Sequence, residues 1–248
     1  MIRPKDFGIL VPARLESTRL SRKLLRADTG KPLIHHTLSN LQPLRSQAPL
    51  WLVTDSDEIA AHTVGLVDFC HVSSKEHRSG TERIAELIDD MPFRYVLNVQ
   101  ADEPEIKLRH LQKLMEEMLS MEGAEMGTLA TPFRDAQTHA SPNAVKVLLS
   151  KSGRAIYFSR QPLPHGGGFD HPSVFHHIGV YAYRRDLLAR WSSLPESRLE
   201  QSEKLEQLRA LDADINIHIT LVEESPKGID SIEDYVSFVK RRPSAPDS

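Results

Sequence analysis

The sequence predicts an α/β fold, in which a mostly parallel sheet is flanked by helices and a smaller lobe interrupts the second half. Three observations predict it. Apolar runs of strand length recur through the first hundred residues. Stripes of helical period lie between or after them, and the pattern turns to isolated strand-like pieces from about Met126. The runs are Phe7 to Val11, Leu50 to Val53, Leu66 to Val72 and Tyr95 to Val99. Continuous apolar runs suit strands covered on both faces, which is the state of a parallel sheet. Ile84, Leu87, Ile88 and Met91 fall at i, i+3, i+4 and i+7, and Leu108, Leu111, Met115 and Met118 form a second stripe. Both read as amphipathic helices. Strands are then expected at Met126 to Thr131, Val145 to Leu149, His177 to Tyr183 and Ile215 to Val222. Helices are expected from about Leu199 to Leu211 and from near Ser231. The boundaries expected are one domain over residues 1–242, a lobe or arm within about 130–195 around a Gly/Pro/His-rich stretch, and a tail over 243–248.

Composition narrows the function classes. The 248 residues carry a net charge of −3 with 26% charged side chains, so no basic field invites nucleic acid. The single cysteine, Cys70, cannot form an intramolecular disulfide and suits a reducing compartment. No apolar run reaches membrane-spanning length, and the first residues lack a signal-peptide core, so a cytoplasmic protein with no membrane partner is expected.

Ligands of open α/β sheets sit beyond the carboxyl ends of the strands, so the loops there are read for chemistry. After the first strand, the segment from Pro12 to Lys23 gathers Arg14, Arg19, Arg22 and Lys23. It can hold a triphosphate through charge-assisted bonds, or it is a solvated basic loop. His77-Arg-Ser-Gly-Thr-Glu-Arg83 precedes a helix, and Ser79, Gly80 and Thr81 can either cap it or present N–H groups to a ligand. Asn98-Val-Gln-Ala-Asp-Glu-Pro104 places Asp102 at a strand end, as a magnesium ligand or a turn residue. Asp230 precedes the last helix, as its N-cap or as a second carboxylate on the metal. Glu203, Glu206 and Gln207 share one face of the expected helix of Leu199 to Leu211, where they can bind sugar hydroxyls or simply face water.

In order and spacing these segments resemble the CMP-Kdo synthetases, the 3-deoxy-manno-octulosonate cytidylyltransferases. Pro12 to Lys23 is similar to the family's Pro-Ala-Arg-x-x-Ser-Thr-Arg-Leu-Pro-Gly-Lys, and His77 to Arg83 to its His-x-Ser-Gly-Thr-Glu-Arg. Asn98 to Pro104 resembles Asn-Val-Gln-Gly-Asp-Glu-Pro, and further matches run from Pro142 to Val147, Tyr157 to Arg160, His177 to Tyr181, Glu203 to Arg209 and Gly228 to Asp230.

The resemblance implies a Rossmann-like nucleotidyltransferase fold with a dimerisation lobe. It also implies transfer of CMP from CTP to the anomeric hydroxyl of the sugar acid, for lipopolysaccharide biosynthesis. Arg14, Arg19 and Lys23 would hold the triphosphate, with Ser79, Gly80 and Thr81 in the nucleotide pocket. Asp102 and Asp230 become ligands of Mg²⁺, and Arg14, Arg19, Lys23 and Asp102 the catalytic set. Gln100, Arg160, His177, Tyr181, Glu206 and Gln207 would surround the sugar, with Arg160 on its carboxylate. A homodimer is implied as well. The alternatives are a related acid such as the 8-amino analogue, or a nucleotide-binding protein without turnover. Two departures bear on that choice. Ser21-Arg22 replaces Pro-Gly, so Arg22 is expected to add a contact to the β- or γ-phosphate, and Ala101 replaces a Gly, which strains the loop if φ there is positive.

Overall fold

The computed structural model describes residues 2–17 and 20–242, and they form two compact units, 1–109 with 226–248 and 110–225. The first unit alternates strand and helix: β1 (Phe7–Ala13), α1 (Leu33–Leu41), β2 (Leu50–Thr54), α2 (Asp57–His62), β3 (Phe69–Val72), α3 (Gly80–Ala85) and β4 (Tyr95–Asn98). Its strands are ordered β3, β2, β1, β4, and all three of these pairings are parallel. β1 is buried along its whole length, as its unbroken apolar run requires, and Phe7 stacks on Tyr95 of β4 at 5.1 Å between ring centroids.

The second unit opens within α4 (Leu108–Ser120) and continues with β5 (Met126–Thr131), α5 (Ala136–Ala140), β6 (Lys146–Leu149), β7 (Ala155–Ser159) and β8 (Val174–Arg184). It ends with α6 (Arg185–Arg190), α7 (Arg198–Glu203), α8 (Leu208–Asp212) and β9 (Ile217–Leu221). β5 runs parallel to β9 and antiparallel to β8, while β6 lies antiparallel to both β7 and β8. The segment 130–195 expected to form a lobe lies inside this unit. The chain then returns to the first unit with α9 (Ile232–Arg241), capped by a reciprocal pair between Ser231 and Asp234. Among the described residues no helix is long and apolar enough to cross a membrane.

Several expected elements differ. The strand read from Leu66 starts only at Phe69, because the preceding residues turn, with Leu66 N–H bonded to the Thr63 carbonyl. The stripe from Ile84 to Met91 is not one helix: α3 stops at Ala85 and a single 3₁₀ turn covers Ile88–Asp90. The helix expected over Leu199 to Leu211 is broken into α7 and α8 by Lys204, which adopts φ 55°. Side-chain demand explains that break. Glu203 accepts from Ser159 Oγ at 2.7 Å and from Arg160 N–H at 2.8 Å, so the chain turns where its carboxylate is held. β7 and α1 carry no strong periodic signal and were not expected.

Candidate active site

The carboxyl ends of β1 and β4 and the start of α3 surround a cavity of about 240 Å³ in the first unit. Pro12, Ala13, Arg14, Ser17, Lys23 and Leu24 line it from the loop after β1. His77 to Gly80 and Arg83 contribute from around α3, and Gln100, Ala101 and Asp102 from the end of β4. Of the residues read from sequence, this brings together Arg14, Lys23, Ser79, Gly80, Gln100 and Asp102. Arg19 lies outside the described residues. Thr81 is buried beside the cavity segment but is not part of its lining.

Each position has a local cause. Ser79 caps α3 by accepting from Glu82 N–H at 3.1 Å, so capping and cavity lining are compatible in one residue. Gly80 permits a close approach: a Cβ there would stand 3.0 Å from Pro12 Cγ. Ala101 is not among the described residues with positive φ, so replacing the family's Gly there causes no left-handed strain. Its carbonyl accepts from Thr37 Oγ1 at 2.7 Å. Arg22 does adopt the left-handed region, at φ 51°, and its guanidinium pairs with Glu58 on α2. It does not line the cavity, which corrects the expectation of a phosphate contact from this residue.

Lys23 is almost fully buried and is the centre of an acidic corner. Its Nζ donates to Asp102 Oδ2 at 2.5 Å and to the Ile229 carbonyl at 2.6 Å. That places the residue before Asp230 beside Asp102, although the two aspartates are far apart in sequence. Ser231, not Asp230, is the N-cap of α9. Glu103 completes the corner. Its Oε2 is shut off from solvent without a hydrogen-bond partner, and Gly228 is required opposite it, since a Cβ there would stand 2.6 Å from Oε1. Burial, followed by the charges of Asp102 and Asp230, pushes the Glu103 carboxyl up to about 8, against the opposing influence of Lys23.

In the second unit the structure draws together His177, Tyr181 and Glu206. In a regular strand, residues four apart are separated by about 13 Å. β8 instead carries an irregularity: Thr128 of β5 faces Tyr181, but Leu129 faces Ile178. The slack folds the His177 and Tyr181 rings to 5.5 Å between centroids. Thr128 Oγ1 lies 3.0 Å from His177 Nε2 and 2.7 Å from the Val180 carbonyl. The hydroxyl hydrogen goes to a carbonyl, so His177 Nε2 donates and Nδ1 is left as an acceptor. Burial, with a smaller contribution from His176, pushes the His177 imidazole down to about 3 and keeps it neutral. The Tyr181 phenol is pushed up by burial and by the Glu206 carboxylate. Glu206 accepts from Trp191 Nε1 at 3.1 Å, and the amide Nε2 of the buried Gln207 has no partner. Arg160 is differently employed. Its guanidinium donates to the carbonyls of Glu203 at 2.8 Å and Pro142 at 3.0 Å. Fully buried Lys146 donates to three carbonyls, those of Ser141, Ala144 and Arg160.

Sequence reading missed Asp55, Arg83, Glu103 and Lys146. Arg83, Glu103 and Lys146 stood inside segments already singled out, whereas Asp55 directly follows a strand and carried only that positional signal.

Comparison with known proteins gives a consistent set. The model of the cytidylyltransferase family matches residues 8–217. The 3-deoxy-manno-octulosonate cytidylyltransferase of Rhodopirellula baltica is 36% identical over 242 residues, covering 94% of this chain and 97% of that protein. The Escherichia coli protein of the same name is 34% identical, covering 90% of each. A solved structure of CMP:2-keto-3-deoxy-manno-octonic acid synthetase complexed with CTP superposes with a TM-score of 0.87 at 33% identity, over 95% of this chain and 99% of that one.

Proposed function

Because this chain belongs to the cytidylyltransferase family, among the 3-deoxy-manno-octulosonate cytidylyltransferases, we propose that it transfers CMP from CTP to the anomeric hydroxyl of 3-deoxy-manno-octulosonate and releases pyrophosphate. The observation that carries this reading is the cavity of the first unit, where cations, a helix start and a carboxylate converge from three separate segments. A nucleoside triphosphate needs that combination: cations for its phosphates, close backbone approach for its base and ribose, and a carboxylate for its metal.

In the reaction the sugar hydroxyl oxygen attacks the α-phosphorus in line. A new oxygen–phosphorus bond forms, the bond to the β-phosphate oxygen breaks, and the hydroxyl proton leaves to solvent. Arg14 and Lys23 hold the triphosphate and offset charge developing on the departing pyrophosphate. Arg19 does the same in this reading. Ser79, Gly80 and Thr81 shape the nucleotide pocket. His177, Tyr181, Glu206 and Gln207 of the second unit hold the sugar, His177 through a neutral ring. The unpartnered Gln207 Nε2 and the acceptor left on His177 suit hydroxyl ligands. Arg160 can meet the sugar carboxylate only with the N–H groups left over from its carbonyl bonds.

Asp102 and Asp230 would hold Mg²⁺. Among the described residues no three acidic, His or Cys side chains are gathered to hold an ion by themselves, but Asp102 and Asp230 both act on the Glu103 carboxyl, and a hard cation that completes its shell with phosphate oxygens and water needs only such a pair. Bound there, Mg²⁺ supplies charge neutralisation and acidifies the attacking hydroxyl. The reading includes a cytoplasmic homodimer serving lipopolysaccharide biosynthesis.

Pyrophosphate release from each of the four nucleoside triphosphates against a panel of 3-deoxy-2-keto acids, with Mg²⁺ and with chelator, tests base, sugar and metal together. Release only with CTP, the octulosonate and Mg²⁺ is expected. Equal rates with UTP, or undiminished rates in chelator, would contradict the reading.

A further inference from the structure

We infer that Asp55 and Arg83 are a positioning pair for the nucleotide site, with Asp55 holding the loop after β1 in its binding conformation. The inference rests on the functional reading above and extends it to residues with no assigned role.

One carboxylate, directly after β2, joins two separate walls of the cavity. Asp55 Oδ1 accepts from Leu15 N–H at 2.9 Å, and Oδ2 accepts from Arg83 Nη2 at 3.1 Å. Leu15 follows Arg14, and Arg83 lies three residues beyond Gly80, so the two bonds connect the cationic loop to the start of α3. The Arg83 side chain is only 7% exposed, and that of Asp55 is 34% exposed. A guanidinium is always charged, and one so far removed from water is costly to leave without a counter-ion, so the direction of the Asp55 carboxylate is set from the buried side. Its other oxygen is then presented to the loop at a fixed place. Meanwhile Arg83 Nη1 has no hydrogen-bond partner, so the cavity wall contains an arginine with an unused donor.

The physical consequence is preorganisation. A solvent-facing loop with a free backbone N–H samples many conformations, and ordering it on ligand binding weakens the affinity. With Leu15 tethered, Arg14 already lines the cavity before the nucleotide arrives. The effect should fall on CTP and spare the sugar, whose proposed contacts other than Gln100 belong to the second unit. A purely architectural bond would lower stability without that selectivity.

CTP affinity by calorimetry, KM for CTP and for the octulosonate, and thermal midpoint are compared in the full chain and in Asp55→Ala, Asp55→Asn and Arg83→Lys. Asp55→Ala should weaken CTP binding about tenfold or more, while the sugar KM stays within about twofold. Asp55→Asn keeps an acceptor for Leu15 N–H and should recover part of that loss. Arg83→Lys keeps the buried charge but not the planar fork, and should fall between the unaltered chain and Asp55→Ala. If the variants melt earlier yet bind CTP like the unaltered chain, or lose both substrates equally, the pair has no positioning role. Failure of the unaltered chain to bind CTP at all would overturn the functional reading itself, a result distinguishable from either.

Discussion

Replacing Glu103 by Gln should make the metal-free protein more stable in alkaline solution and leave it nearly unchanged in mild acid. Glu103 sits against Gly228 with one carboxyl oxygen closed off and unpartnered, beside Asp102 and Asp230. Burial first, then those two charges, lifts its carboxyl from 4.5 to about 8. Between these values the folded chain keeps a proton that the unfolded chain has released. The stability tied to this proton is therefore complete below about 4.5 and is lost as pH rises through about 8. At about 1.4 kcal/mol per pKa unit the full excursion is worth up to about 5 kcal/mol. Relaxation and water entry in such a crowded acidic corner reduce this to an expected 2–4 kcal/mol, on the order of magnitude typical of buried carboxyls. Gln is neutral throughout, so the difference between variant and unaltered chain should be under about 1 kcal/mol at pH 5 and about 2–4 kcal/mol in favour of Gln at pH 9. Urea unfolding in chelator across that range measures it, since other titrating groups cancel in the difference. Adding Mg²⁺ should narrow the gap, because a cation at Asp102 and Asp230 favours the ionised Glu103. A difference that does not change with pH would refute the reasoning.

Three further outcomes follow from the site and its supports. Asp102→Asn and Asp230→Asn should each lower turnover by about a hundredfold or more and raise the Mg²⁺ needed for the remainder, while the circular dichroism spectrum is retained; full activity at limiting Mg²⁺ removes that residue from the metal. Arg22→Gly should leave the CTP dissociation constant within about twofold, because its guanidinium serves Glu58. Its stability should move by under about 1 kcal/mol, since relief of the left-handed strain offsets an exposed ion pair worth about as much. Lys146→Met should cost about 2–4 kcal/mol in urea unfolding, as the carbonyls of Ser141, Ala144 and Arg160 lose a shared donor in a buried place; an unchanged midpoint would show that water replaces the ammonium.

Local chemistry made much of the first unit legible. β1, β2 and β4 are buried parallel strands whose interiors must be apolar, so continuous runs marked them almost to the residue. α4 shows its stripe because one face is buried and the other is wet, and the start of α9 is written in the Ser231 cap. Where the same signals were extended too far, as from Ile84 to Met91 and from Leu199 to Leu211, the periodicity was real but the backbone was turned by partners elsewhere. Ser159 and Arg160 pull on Glu203, and nothing near Glu203 in the chain announces them.

The sequence by itself determined the α/β class, the family, and the residue types gathered at the strand ends, because these depend on burial pattern and on motifs read within a dozen residues. Only the tertiary structure decided which groups meet. Lys23 was legible as a cation, yet its seating between Asp102 and the Ile229 carbonyl depends on segments 79 and 206 residues away. His177 and Tyr181 were both read as site residues, but an irregularity in β8, set by pairing with β5, brings their rings together. Asp55 carried no signal beyond its place after a strand until folding set it between Leu15 and Arg83. A side chain's type is local, whereas its hydrogen-bond partner and its dielectric surroundings are created only when distant segments exclude water together.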